Sequence, residues 1–130
     1  VLTISIHADP DSYYPWFVGR SHEQGARLGK GYNLNIPLKI GTGDLGWLNA
    51  IENAIQVIKN YKPDALVVPL GFDASEFEPL AALKVTADGF QNAGNLISNL
   101  KLPTVITQEG GYNVEIMGDL LIKFLTAWIS

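Results

Sequence analysis

Four short apolar or β-branched runs alternate with segments of helical spacing, and that alternation constrains the chain most, because few layered architectures bury both kinds of element at once. VLTISIH, Val1 to His7, reads as a buried strand followed by the turn-forming ADPDS. YNLNIPLKI, Tyr32 to Ile40, alternates as a strand does, and Pro37 favours an edge position because proline cannot donate to a ladder. KPDALVVPLG, Lys62 to Gly71, has the pattern of a strand covered on both faces, and LPTVITQEGGY gives a further strand with glycines at its end. Leu48, Ile51, Ala54, Ile55 and Ile58 recur at helical spacing, with Thr42 or Asp44 as candidate cap. Thr86 to Leu100 is a second helix, capped by Thr86, with Phe90, Ala93, Ile97 and Leu100 inward despite Gly89 and Gly94; Ile116 to Ile129 is a third. The order β, β, α, β, α, β, α predicts an α/β fold with parallel strands and right-handed crossovers, in a single domain over 1–130. No repeat or linker interrupts it.

Composition narrows the classes of function. The 130 residues are 47% hydrophobic, enough for a sizeable core, and 17% charged, below the roughly 25% of ordinary globular chains. An unusual share of the surface is therefore expected to be covered by a partner. Net charge is −4 with nine scattered Lys and Arg, which lacks the footprint of a nucleic-acid binder or a polybasic membrane patch. No apolar run approaches the ~20 residues of a membrane span, and the first residues carry no basic, cleavable leader. Zero cysteines exclude disulfides, thiolate zinc sites and a cysteine nucleophile, and fit a reducing, cytoplasmic setting. The chain starts at Val1 and its one methionine is Met117, so it is expected to be part of a longer polypeptide.

Three strand ends, SIHAD, LGFDAS and TQEGGYN, fall on one edge of a parallel sheet, so His7, Asp73 and Tyr112 can converge there. Asp73 is open to three roles: metal ligand, general base or cap. A lone histidine such as His7 is more often hydrogen-bonded structure than ligand, and His22 in a polar loop is expected to be solvated. Two histidines without HExxH make a poor candidate for a whole zinc site, which takes three protein ligands. The glycines of EGGYN allow a tight turn or a close approach and deliver a phenol directly afterwards, as an ordinary packed tyrosine or as a donor to an oxyanion. GTGDLG, Gly41 to Gly46, matches a dinucleotide fingerprint literally, but the preceding run contains Pro37 and Asp64 opens the next strand, so nucleotide binding is a minor reading. Tyr13, Tyr14, Trp16 and Phe17 suit a core, an interface or the wall of an apolar channel.

SIHADPDSYYPWFVG, GYNLNIPL, PDALVVPLGFDASEFEPL and LPTVITQEGGYN, in that order and spacing, resemble the C-terminal part of the zinc-dependent histone deacetylase and acetylpolyamine amidohydrolase superfamily, over essentially the whole chain. SIHADP and QEGGY look more like its bacterial, class II-like branch. The resemblance implies part of an arginase-like three-layer α/β/α fold and hydrolysis of acetylated amines, acetyl-lysine or acetylpolyamine, with zinc polarising the acetamide carbonyl. By motif, Asp73 matches a zinc ligand and Tyr112 the tyrosine that stabilises the oxyanion. Tyr14 falls on an aromatic channel position, Leu80 on an apolar wall and Gly111 on a narrow glycine wall. Ser5 and the carbonyl of Ile6 match a monovalent-cation site, read as potassium, and His7 becomes a structural neighbour.

Two of the family's motifs have no counterpart here. An Asp-x-His pair supplies the other two zinc ligands and a tandem histidine pair the general base, and neither DxH nor HH occurs in the chain. One carboxylate is not expected to bind zinc tightly, and acid–base assistance worth ~10²–10⁴ in rate would be missing. The isolated chain is therefore expected to be inactive. The alternative is a non-catalytic binding or self-associating module, whose exposed sheet edge would be covered by a second copy or by a missing N-terminal half.

Overall fold

The computed structural model describes residues 1–80 and 82–129. Four strands, β1 (Thr3–Ala8), β2 (Asn33–Leu38), β3 (Leu66–Leu70) and β4 (Thr104–Gln108), alternate with helices α1 (Asp44–Tyr61), α2 (Ala87–Ser98) and α3 (Val114–Leu125) in the expected order. All strand pairing is parallel. The strands do not form one continuous sheet among the described residues: β1 pairs with β2 and β3 with β4. A single bridge from Gly43 to Lys84 ties the β2–α1 loop to the β3–α2 loop, and another from Ser75 to Val85 closes the β3–α2 loop on itself.

Proline positions follow from backbone parity. Thr3 N–H donates to Tyr32 O and Asp9 N–H to Leu38 O, so the even residues of β2 face β1 and Pro37 turns its missing donor to the open edge. The edge expectation for Pro37 holds. In β3, Leu66 N–H donates to Pro103 O and Leu70 O accepts from Glu109 N–H, so Val67 and Pro69 present their backbones to the edge opposite β4. The same parity sorts the side chains: Val68 and Ile106 pack on the core, whereas Val67 and Val105 stay 63% and 59% exposed. The expectation that β3 is covered on both faces is thus met on one face only, since no described element lies against the other.

A single core joins both sheets to the helices. Phe72, Phe90 and Phe124 are fully buried at its centre, with Trp47 edge-on to Phe90 at 5.2 Å. The start of α2 shows how the helices are tied. Thr86 caps it as expected, accepting from Gly89 N–H at 3.1 Å. Asp44 does not cap α1, whose N-cap is Gly43; its carboxylate instead accepts from Thr86 N–H at 2.8 Å and Thr86 Oγ1 at 2.6 Å, binding the first turn of α1 to that of α2. Both glycines of α2 are close-approach sites: a β-carbon on Gly89 would run into Asp44 and one on Gly94 into the backbone carbonyl of Phe124. No helix among the described residues is long and apolar enough to cross a membrane.

Candidate functional site

Pairing of β3 with β4 continues past the strand ends and sets GFD beside EGG. Phe72 N–H donates to Gly110 O at 2.8 Å, and with the Phe72 side chain wholly buried the next residue, Asp73, turns outward. Two glycines make room for its carboxylate: a β-carbon on Gly71 would lie 2.6 Å from Asp73 Oδ1, and one on Gly110 would overlap the carboxyl group. Although the Asp73 side chain is open to solvent, enough protein surrounds it that desolvation pushes its pKa above the ordinary value; its own backbone N–H opposes the shift and the Glu78 charge adds to it.

Gly111, at φ +141°, carries the chain from this point to Tyr112, in a slot where a β-carbon would meet Phe72 Cβ at 3.1 Å and Met117 Sδ at 3.2 Å. The Tyr112 ring is 61% exposed, and among the described residues its hydroxyl has no hydrogen-bond partner. Its backbone is held by a residue that sequence reasoning passed over. Glu78 is buried, and its carboxylate accepts from Tyr112 N–H at 3.1 and 3.0 Å and from Asn113 N–H at 3.1 Å. A carboxylate flanked by phenylalanine and proline in FEPL was the available signal.

The end of β1 supplies the opposite wall. His7 Nε2 lies 2.8 Å from Gly19 O, an acceptor only, so Nε2 carries a proton; in the neutral imidazole Nδ1 then accepts from Ser5 Oγ at 2.7 Å. The Ser5 hydroxyl spends its proton on His7 and keeps lone pairs for another partner. Ile6, by the parity of β1, turns its carbonyl away from β2. Gly19, at φ +104°, must be glycine, because a β-carbon would sit 2.6 Å from His7 Nε2. In the aromatic loop, Tyr13 Oη donates to Leu80 O at 2.6 Å, while Tyr14 and Leu80 remain 72% and 64% exposed.

An open cleft of roughly 800 Å³ is lined by Ser5, Ile6, His7, Tyr14, Asp73, Leu80 and Tyr112 among others. Asp73 and Tyr112 therefore share one space, and Gly111 lies behind it against Phe72 and Met117. His22 is exposed in its loop. GTGDLG stands apart from the cleft, its backbone engaged by Gly41 N–H to Ala82 O at 2.7 Å and Lys84 N–H to Thr42 O at 2.8 Å. Among the described residues, no three His, Cys, Asp or Glu side chains lie close enough together to hold a metal ion. Asp73 fits as one oxygen donor of a divalent-cation site whose other ligands these residues do not provide.

A layered α/β core thus presents a carboxylate and a phenol from adjacent strand tips to one cleft. The histone deacetylase domain profile matches residues 1–128, and the chain belongs to that family. It is 44% identical over 115 residues to an acetylpolyamine amidohydrolase of Burkholderia pseudomallei, covering 88% of this chain and 34% of that protein. With acetylpolyamine amidohydrolase 1 of Pseudomonas aeruginosa it shares 41% identity over 128 residues, 98% of this chain and 37% of the relative. The crystal structure of acetylpolyamine aminohydrolase from Burkholderia pseudomallei superposes with a TM-score of 0.94 at 40% identity, covering 98% of this chain and 37% of that one. The expected fold class, a three-layer α/β/α protein with parallel strands, stands on that likeness. The chain spans about a third of the length of these relatives.

Proposed function

We propose that these residues form part of the active-site cleft of a zinc-dependent amidohydrolase that removes acetyl groups from amines, acetyl-lysine or acetylpolyamine, in the cytoplasm. The observation that carries the reading is the shared cleft of Asp73 and Tyr112, each held beside glycines that leave room for it. Asp73 offers an anionic oxygen to the metal, which when bound polarises the acetamide carbonyl. Tyr112 Oη, which has no hydrogen-bond partner among the described residues, donates to the carbonyl oxygen as negative charge builds on it, and a pre-aimed donor of this kind is worth ~3 kcal/mol. Tyr14 and Leu80, which line the cleft, form walls of the acyl-amine channel, and Gly111 backs it against Phe72 and Met117. Ser5 Oγ and the Ile6 carbonyl, which is turned away from β2, are the oxygens that would hold a monovalent cation, potassium.

The 130 residues alone are inactive in this reading, since one donor of three is present and a general base is missing. Assaying the chain with added zinc on an acetyl-lysine and an acetylpolyamine reporter checks this. Turnover clearly above the zinc blank would defeat it, and no turnover supports it. A second reading, a non-catalytic module that associates with itself, is favoured by one observation: the uncovered face of Val67 and Val105.

A further inference from the structure

Glu78 is a buried carboxylate with no cationic partner among the described residues, where the ion pairs are Arg20 with Asp11 and Glu23, and Lys123 with Asp88. Burying a charge without a counterion is costly unless hydrogen bonds replace its water. Here the replacements are two successive backbone N–H groups, those of Tyr112 and Asn113, 34 and 35 residues further along the chain. Capping α3 does not account for the arrangement. Asn113 already caps that helix, its side chain accepting from Glu115 N–H at 3.3 Å. What Glu78 adds lies one residue earlier, at the phenol-bearing position.

The neighbouring contacts stop short of that position. Phe72 N–H holds Gly110 O and Gly111 fits its slot against Phe72 and Met117, but neither contact engages the Tyr112 amide. The Tyr112 side chain is mostly exposed and its hydroxyl is unbonded within the described residues, so side-chain packing does not hold it either. A second contact from the same loop, Asn113 Nδ2 to Phe77 O at 3.1 Å, reinforces the staple. The loop bearing Glu78 is itself anchored, with Glu78 N–H on Ser75 O at 3.2 Å and Glu76 N–H on Val85 O at 3.0 Å.

We infer that Glu78 is a positioning residue: its carboxylate, clamped on the Tyr112 and Asn113 amides, aims the Tyr112 hydroxyl into the cleft. The inference rests on the reading of Tyr112 as the oxyanion donor and extends it to a residue on another loop. In the native protein that carries these residues, Glu78→Gln keeps the shape but removes the charge and replaces one acceptor oxygen with an NH₂. Hydrogen exchange at the Tyr112 and Asn113 amides should accelerate about 10-fold or more, as expected when charged hydrogen bonds are lost. Turnover of an acetylated amine should fall about 100-fold with KM little changed, the cost of a slightly misplaced group. Adding Tyr112→Phe to Glu78→Gln should then cost much less than Tyr112→Phe does alone. Glu78→Asp, which keeps the charge on a shorter arm, should restore part of both effects and serves if Glu78→Gln fails to fold. Unchanged exchange at the two amides overturns the inference whatever the activity. Faster exchange with unaltered turnover overturns the positioning role of Glu78, whereas unaltered turnover in Tyr112→Phe alone overturns the catalytic reading of Tyr112 on which it rests.

Discussion

Asp73 is held in its place by the absence of neighbours' side chains as much as by their presence. With Gly71 and Gly110 on either side, its carboxyl group lies close to backbone while still reaching solvent, and its pKa is raised mainly by the partial desolvation this brings. The linkage has a definite sign. A carboxyl group whose folded pKa lies above the ordinary 3.8 stabilises the fold fully below that value and loses the contribution as pH rises through the raised one. Asp73→Asn, which cannot ionise, should therefore melt above the unmodified chain at pH 7 in a chelator, with the gap closing near pH 3. Equal melting temperatures at both pH values would refute the argument. That Asp73 and Tyr112 meet in one cleft was legible from sequence, because each follows the end of a parallel strand, whereas their roles rested on the family resemblance. Glu78 was not: its burial is created by a segment 34 residues away, and in the string of letters it is one acid among several in a polar loop.

Helix α2 illustrates what periodicity conveys and what it leaves out. Its inward residues and its Thr86 cap follow from spacing alone, since both depend on contacts within the helix. Gly89 and Gly94 looked like weaknesses there, because propensity disfavours glycine by about 1 kcal/mol, whereas in the structure they leave room for Asp44 of α1 and for the Phe124 carbonyl of α3. Gly94→Ala should destabilise by about 1–3 kcal/mol in urea unfolding, because the obstacle is the Phe124 carbonyl, which cannot swing aside. Gly118→Ala in α3 is the matched control. Nothing lies within 4 Å of its added methyl, so it should be neutral or stabilise by up to about 1 kcal/mol. Similar losses for both would mean that the α2–α3 crossing is looser than described. Asp44 taught the converse lesson: at the first turn of α1 it resembles a cap, and only the meeting of two helices reveals that it serves Thr86.

Across the whole molecule, the element order was legible and the division into two strand pairs was not, because strand pairing is non-local and the continuous apolar run of β3 implied cover on both sides. Val67 and Val105 stand opposite each other in register on the uncovered face. Exposed apolar pairs of this kind favour association. Sedimentation of the 130-residue chain should show mass growing with concentration. Val67→Lys with Val105→Lys should return it to monomer while the helical circular dichroism is retained. A monomer at every concentration would count against the self-associating reading and leave the amidohydrolase reading to account for the uncovered face.

Pro69 gives that exposure a limit. An intruding strand reaching the free rim of β3 finds one rung of the ladder absent, since the ring nitrogen offers no proton to the carbonyl that arrives opposite it. Only a visitor that can satisfy that oxygen elsewhere fits without loss. Endless edge-to-edge growth into fibres is thereby discouraged at the one side of β3 that no described strand covers.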